Sequence, residues 1–310
     1  MEELIVFGHN DLDMLGCMLN IEYKFPTVKK KYFYTNYANI NQIVDDIISH
    51  MKANGNKHIL IVDVSFGDNK EALSRLYEIG KITHIDHHLY PDGFWDDFPE
   101  MKVKWDKTKC ATLLCNEYFG NTGQNSNLDK LSKLIDVYDI WQDQHPAFDF
   151  TQGLNEYFWK HDIYELTQAI VQNNFKLPDD FTEVVDGINQ DINMAISSYE
   201  ERKLIYRSDN ITLAFINDWF NQVMIPDMRN GQDFVIGINS YGIIRVRVRQ
   251  QSVYTDFQLN KLRKALTGTE TTGHMHAFTY RMKGTCDFTN LMKHAEFIVE
   301  KINEIRSLNK

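Results

Sequence analysis

The sequence lacks any apolar run approaching the roughly 20 residues that a membrane-spanning helix requires; stretches such as "LIVF" and "HILIVDV" break off far sooner. It also lacks a basic segment before its first apolar residues, so the expectation is a soluble, unexported, cytoplasmic protein with no membrane partner. Cysteine is scarce. Cys17, Cys110, Cys115 and Cys286 show no CxxC spacing, which disfavours a thiolate zinc site and suits buried reduced thiols in a reducing compartment. Positive charge is in deficit as well: the net charge is −10, and a chain that neutralises long duplex nucleic acid needs a basic surface to displace counterions. There is neither an internal repeat nor a low-complexity tract.

What is present is the composition of a globular protein, 310 residues with 43% hydrophobic and 25% charged side chains, enough for two domains with separate cores. Over the first 140 residues, strand and helix signals alternate. "ELIVFG", "KHILIVDVSF" and "KITHID" read as short, fully apolar strands, while "MLGCMLNIEYKF", "NINQIVDDIISHMKANG" and "DNKEALSRLYEIG" carry helical periodicity. Such alternation implies βαβ units and a parallel sheet covered on both faces. From about 146 to 205 the pattern is helical, as in "ELTQAIVQNNF", and strands return in "NITLAFIN", "DFVIGINS" and "GIIRVRVRQQ". The expected organisation is α/β: a parallel-sheet domain over residues 1–145, a helical connector over 146–205 and a smaller α/β domain over 206–310.

Ligands of open α/β sheets sit beyond the carboxyl ends of the strands. There this sequence collects chemistry. The first strand is followed by His9, Asp11 and Asp13, the next apolar strand by Asp63, and "KITHI" by Asp86, His87 and His88. Each residue alone has an ordinary structural explanation: a helix cap, a turn, a packed neutral imidazole. Together they place like-charged carboxylates within a few ångströms, an arrangement that repels unless cations neutralise it. Imidazole and carboxylate without thiolate suits Mn²⁺, Mg²⁺ or a related ion.

"HNDLDMLGC", "VDVS", "DHH" and "LIDVYDIW" occur in this order between residues 9 and 141 and resemble the four motifs of the DHH phosphoesterase superfamily. That group includes RecJ exonucleases, nano-RNases, cyclic-dinucleotide phosphodiesterases, polyphosphatases and family II pyrophosphatases. The resemblance implies two Mn²⁺ ions per chain, with Mg²⁺ or Co²⁺ as substitutes. His9, Asp11 and Asp63 would hold one; Asp13, Asp63, His87 and Asp136 the other, with Asp63 bridging. Asp86 would orient the adjacent imidazole, and His88 would face the scissile phosphate. The fourth motif offers both Asp136 and Asp139, and the "LIDV" spelling favours Asp136. Met14 stands where many members have glycine, with Gly16 two positions later.

"TTGHMHAF", residues 271–278, is similar to the glycine-rich signature of the DHHA1 substrate-binding domain, with Gly273, His274 and Ala277 in register and Thr272 and Phe278 departing from it. Upstream, period-two alternation puts Arg245, Arg247 and Arg249 on one strand face. Arg247, Arg249, Gly273 and His274 are thus the expected substrate-binding residues. Taken together, the resemblance implies an Mn-dependent phosphodiesterase of exoribonuclease type, in which Asp63, Asp86 and His88 serve catalysis. Its substrates would be short oligonucleotides or dinucleotides, and a homodimer is compatible with it. A RecJ-like single-strand exonuclease is the alternative enzyme, although no basic, aromatic tracking surface is evident. A non-catalytic scaffold of the same fold is the alternative outside enzymes.

Overall fold

Strict alternation along the first strands decides the architecture. In β1 (Glu3–His9), Ile5 and Phe7 point to one side and Leu4 and Val6 to the other, and all four are buried. A strand apolar on both faces needs cover on both. The computed structural model shows this cover, and describes residues 3–36, 39–55, 58–67, 69–200, 204–208, 210–216, 227–249, 254–267, 277–282 and 287–307. Ile5 and Phe7 join Ile59, Ile61 and Ile82 in a core closed by α2 (Ile40–Asn54) and α3 (Lys70–Tyr77). Leu4 and Val6 join Leu60, Val62 and Ile85 in a second core. It is closed by α1 (Leu12–Lys24), α4 (Ala111–Tyr118) and α5 (Ser126–Asp139).

The first sheet is parallel, in the order β2-β1-β3-β4-β5. The expected strands are β1, β3 (His58–Val62) and β4 (Lys81–Asp86). Two further strands, β2 (Lys29–Thr35, "KKKYFYT") and β5 (Lys102–Trp105, "KVKW"), form its edges. Edge strands face water along one side, and their lysines remove the apolar signal that marks the central ones. The chain divides into two units, residues 1–185 and 186–310. α6 (Phe148–Phe158) and α7 (Ile163–Gln172) fall in the first, and their Leu154, Tyr157, Phe158, Leu166 and Ile170 are built into its second core. This packing carries the first unit some 40 residues past the expected boundary at 145.

The second unit has a sheet in the order β10-β9-β8-β7-β6, running from β10 (Ala277–Arg281) at one edge to β6 (Leu204–Ser208) at the other. Among the described residues, only the β7 (Ile211–Phe215) and β8 (Phe234–Ile238) pair is parallel in its ladders. In β9 (Ile243–Val248), Ile244 and Val246 are buried beneath α8 (Asp256–Thr267) and α9 (Phe288–Ser307). Arg245 and Arg247 alternate with them on the opposite, half-buried face. Among the described residues no helix is long and apolar enough to cross a membrane.

Candidate metal centre

Register brings the charged residues together. Gly8 pairs with Val62 and Val62 with Ile85, so His9, Asp63 and Asp86 emerge side by side at the carboxyl edge of three adjacent parallel strands. Asp63 lies immediately beyond β3 at φ 53°, in the left-handed region that aspartate tolerates better than most residues. Its N–H donates to Ile85 O at 3.1 Å.

The side chains form three overlapping groups whose polar atoms lie within 4.8 Å of one another: His9, Asp11 and Asp63; Asp13, His87 and Asp139; and Asp63, Asp86, His87 and His88. In the first, His9 Nδ1 donates to Asp11 Oδ2 at 2.5 Å, while Asp11 Oδ1 accepts from Met14 N–H and so caps α1. In the second, His87 Nε2 lies 3.6 Å from Asp13 Oδ2 and 3.4 Å from Asp139 Oδ2. It also lies 3.4 Å from Asp63 Oδ1, which ties the groups together. Asp13 is buried and doubly anchored, since its two oxygens accept from Ala111 N–H and Thr112 N–H at 2.7 Å each, at the start of α4. A carboxylate is well placed there because the first amides of a helix have no partner within it.

At the fourth motif the structure brings a different aspartate to this group from the one expected. Asp139, not Asp136, joins the group around His87. Both oxygens of Asp136 are already engaged, Oδ1 with Cys110 N–H at 2.8 Å and Oδ2 with the Gln142 amide at 3.1 Å. The two aspartates are three residues apart and share a helix face, so only these tertiary partners separate them. Asp86 is likewise refined: its Oδ1 accepts from His88 Nδ1 at 2.8 Å, so the imidazole it orients is that of His88. The Tyr90 hydroxyl donates to Asp86 Oδ2, and Trp105 Nε1–H donates to His88 O at 2.7 Å. Neither aromatic was anticipated; Trp105 sits on the unforeseen strand β5, and Tyr90 belongs to none of the four motifs.

The electrostatics describe a site with surplus negative charge. Burial pushes Asp63 well above the ordinary carboxylate range, and the charges of Asp11, Asp13 and Asp139 push it further. Asp139 is raised in the same way by burial and by Asp13 and Asp11. Two carboxylates go the other way. Burial alone would raise Asp11 and Asp86, but the charge and hydrogen bond of His9 hold the first well down, and those of His88 the second. Burial, aided by the neighbouring His88, lowers His87 despite the carboxylates around it, which favours the neutral imidazole. Asp63 Oδ2 and Asp139 Oδ2 are buried and accept no hydrogen bond from the described residues. Oxygens left so in a low-dielectric pocket, beside a neutral imidazole, are the donor set of a hard or borderline divalent cation. The residues therefore fit the implied ions.

In the second unit, Arg249 is paired with Asp233 at 2.7 Å, and Arg247 lies between Val235 and Ala277 on the neighbouring strands, its Nη1 donating to Val246 O. Gly273 and His274 lie outside the described residues.

No protein-family model matches the chain, and no curated protein does. Solved structures do. A pGpG-specific phosphodiesterase, PggH from Vibrio cholerae, aligns at TM-score 0.58 and 12% identity, covering 98% of this chain and 99% of that one. The exonuclease RecJ bound to manganese aligns at 0.54 and 15%, covering 96% and 89%. CDC45 from Entamoeba histolytica aligns at 0.51 and 9%, covering 97% and 95%. At these identities the likeness is one of fold, and the fold of this chain is that of the DHH proteins.

Proposed function

We propose that the chain is a metal-dependent phosphodiesterase acting on short oligonucleotides or dinucleotides. The observation that carries this reading is the convergence of His9, Asp11, Asp13, Asp63, His87 and Asp139 at one sheet edge, with buried carboxylate oxygens that accept no hydrogen bond from the described residues. His9, Asp11 and Asp63 would hold one ion; Asp13, His87 and Asp139 the other, with Asp63 near both. Divalent cations bound there would polarise a phosphoryl oxygen and acidify an attacking water. The chain's own groups set the geometry. The α4 amides hold Asp13 in place, the left-handed backbone aims Asp63 inward, and Asp86 fixes the rotation of His88 so that its ring can meet charge developing on the phosphate. Arg247, Arg249, Gly273 and His274 belong to the same proposal as contacts for substrate phosphate or a terminal nucleotide; Arg249 would first have to share Asp233.

Mn²⁺ is the proposed ion, with two per chain. The fold likeness to a pGpG-specific phosphodiesterase and to RecJ supports phosphodiester chemistry, and the net charge of −10 favours short substrates over long duplexes. The deciding experiment is a product time course with Mn²⁺ on RNAs of two to about twenty nucleotides, run beside cyclic dinucleotides and long single-stranded DNA. Preference for the shortest RNAs is expected. Equal degradation of long DNA would favour the RecJ-like alternative, and no product from any of them, with no bound metal, would leave a scaffold.

A further inference from the structure

Trp105 is an edge-strand tryptophan whose polar atom is satisfied and whose apolar body is not. Its Nε1–H donates to His88 O at 2.7 Å, yet the residue is 42% exposed. Tryptophan is usually well covered, because leaving so large a ring in water forgoes much of its burial energy. The hydrogen bond fixes one edge of the indole against the loop that carries His87 and His88, and strand pairing sets Trp105 opposite Asp86. Val103, two residues earlier and so on the same strand face, is also exposed. A flat apolar surface thus stands at the margin of the carboxylate and imidazole cluster.

The surrounding charge is a second, independent observation. In a chain with a net charge of −10, residues 102–109 ("KVKWDKTK") hold four lysines and one aspartate. Lys104 and Lys109 converge on a single acid, Glu117, at 3.2 and 2.6 Å, and Lys102 and Lys107 are exposed. An aromatic face with a basic margin is the arrangement by which proteins hold single-stranded nucleic acid: a base stacks on the ring while the adjoining phosphate meets the cations.

We propose that Trp105 is the nucleobase platform of this site, stacking a base of the substrate beside the scissile phosphate, with the lysines of residues 102–109 attracting the flanking phosphate. The inference rests on the phosphodiesterase reading and narrows it, making the favoured substrate a base-bearing nucleotide chain, whose base adds stacking to the phosphate attraction that any polyanion would share. Because every base presents a π-face, the platform should require a base without selecting one.

The test is calorimetric binding of two non-hydrolysable ligands to the full chain: a 5′-phosphorylated diadenylate with a methylene-phosphonate linkage, and the same ribose-phosphonate backbone without bases. Wild type should bind the base-bearing ligand about tenfold more tightly than the abasic one. Trp105→Ala should erase that difference while leaving abasic binding unchanged. Trp105→Phe, which keeps a ring face but not the N–H donor, should retain it. Replacing Lys104 and Lys107 by Gln should weaken both ligands alike and flatten the salt dependence. Equal weakening of both ligands in Trp105→Ala would mean that the indole acts only by holding His88, and would overturn the proposal, as would no change or a wild type indifferent to bases. Hydrolysis of ordinary diadenylate with Mn²⁺ is scored separately. Trp105-dependent binding without hydrolysis would sink the enzyme reading alone, and hydrolysis without Trp105 dependence would sink the platform alone.

Discussion

Asp139 Oδ2 lies 3.4 Å from His87 Nε2 and accepts no hydrogen bond from the described residues, whereas Asp136, one turn earlier, binds Cys110 N–H and the Gln142 amide. The two aspartates should therefore fail differently. Asp139→Asn is expected to remove one equivalent of bound metal and at least a hundredfold of turnover while the fold persists. Asp136→Asn is expected to cost about 1–3 kcal/mol of stability, since a buried acceptor of two hydrogen bonds is compromised, and to lower activity less. Metal analysis and thermal unfolding of both variants check this; metal loss confined to Asp136→Asn would restore Asp136 as the ligand.

Asp63→Asn should abolish turnover and make the metal-free chain more stable. Burial and the charges of Asp11, Asp13 and Asp139 already oppose ionisation of Asp63, and asparagine removes that charge while tolerating φ 53°. A gain of about 1–2 kcal/mol in chelator is expected. Asp63→Ala would be less clean, because alanine in the left-handed region adds strain of about 1–2 kcal/mol. Unfolding in chelator decides it, and an asparagine variant less stable than wild type would count against the crowded-carboxylate account.

The raised groups also fix a pH dependence. Asp63 and Asp139 bind protons more tightly folded than unfolded. Their contribution to stability is fully present below the ordinary carboxylate range, and it is lost as pH rises through their folded values. In chelator, then, the stability advantage of Asp63→Asn over wild type should grow with rising pH. Cation binding should release protons at pH values below the raised folded values of these carboxyls, visible as a binding enthalpy that varies with the ionisation enthalpy of the buffer. A buffer-independent enthalpy would contradict the shifts.

Tyr90→Phe removes the hydroxyl that donates to Asp86 Oδ2. Asp86 would keep its bond from His88 but gain rotational freedom, so kcat should fall about tenfold with KM nearly unchanged, at a stability cost of about 1 kcal/mol. A change confined to KM would place Tyr90 on the substrate instead.

Gly16→Ala tests the junction of α1 and α4. A Cβ at this position would meet Thr112 Oγ1 at 2.1 Å and Ile135 Cδ1 at 2.7 Å, and Thr112 supplies both an N–H to Asp13 Oδ1 and a hydroxyl to Asp13 O. A loss of about 1–3 kcal/mol from overpacking is expected, together with weaker cation binding. Unchanged affinity for Mn²⁺ would show that Asp13 is not positioned through α4.

Much of the site was legible because strand ends announce themselves: apolar runs that stop at His9, Asp63 and Asp86 leave few ways to place those residues other than at one edge. Less was legible where tertiary partners decide. Asp136 and Asp139 present the same helical spacing, and nothing local marks which will be taken up by the amide of Cys110. β5 is too short and too rich in lysine to read as a strand, so Trp105 passed unseen although it touches His88. The helices after 145 read as a connector because their periodicity shows an apolar stripe without showing what it covers, which is the core beneath α1.

The backbone bend at Asp63 has an evolutionary side. The residue that best inherits this conformation, asparagine, differs from aspartate by a single base in its codon and, under the proposed function, would silence turnover while easing the repulsion. A descendant freed from selection for turnover would gain robustness at its first step away from catalysis, so inert cousins with intact architecture lie one mutation downhill from chains such as this.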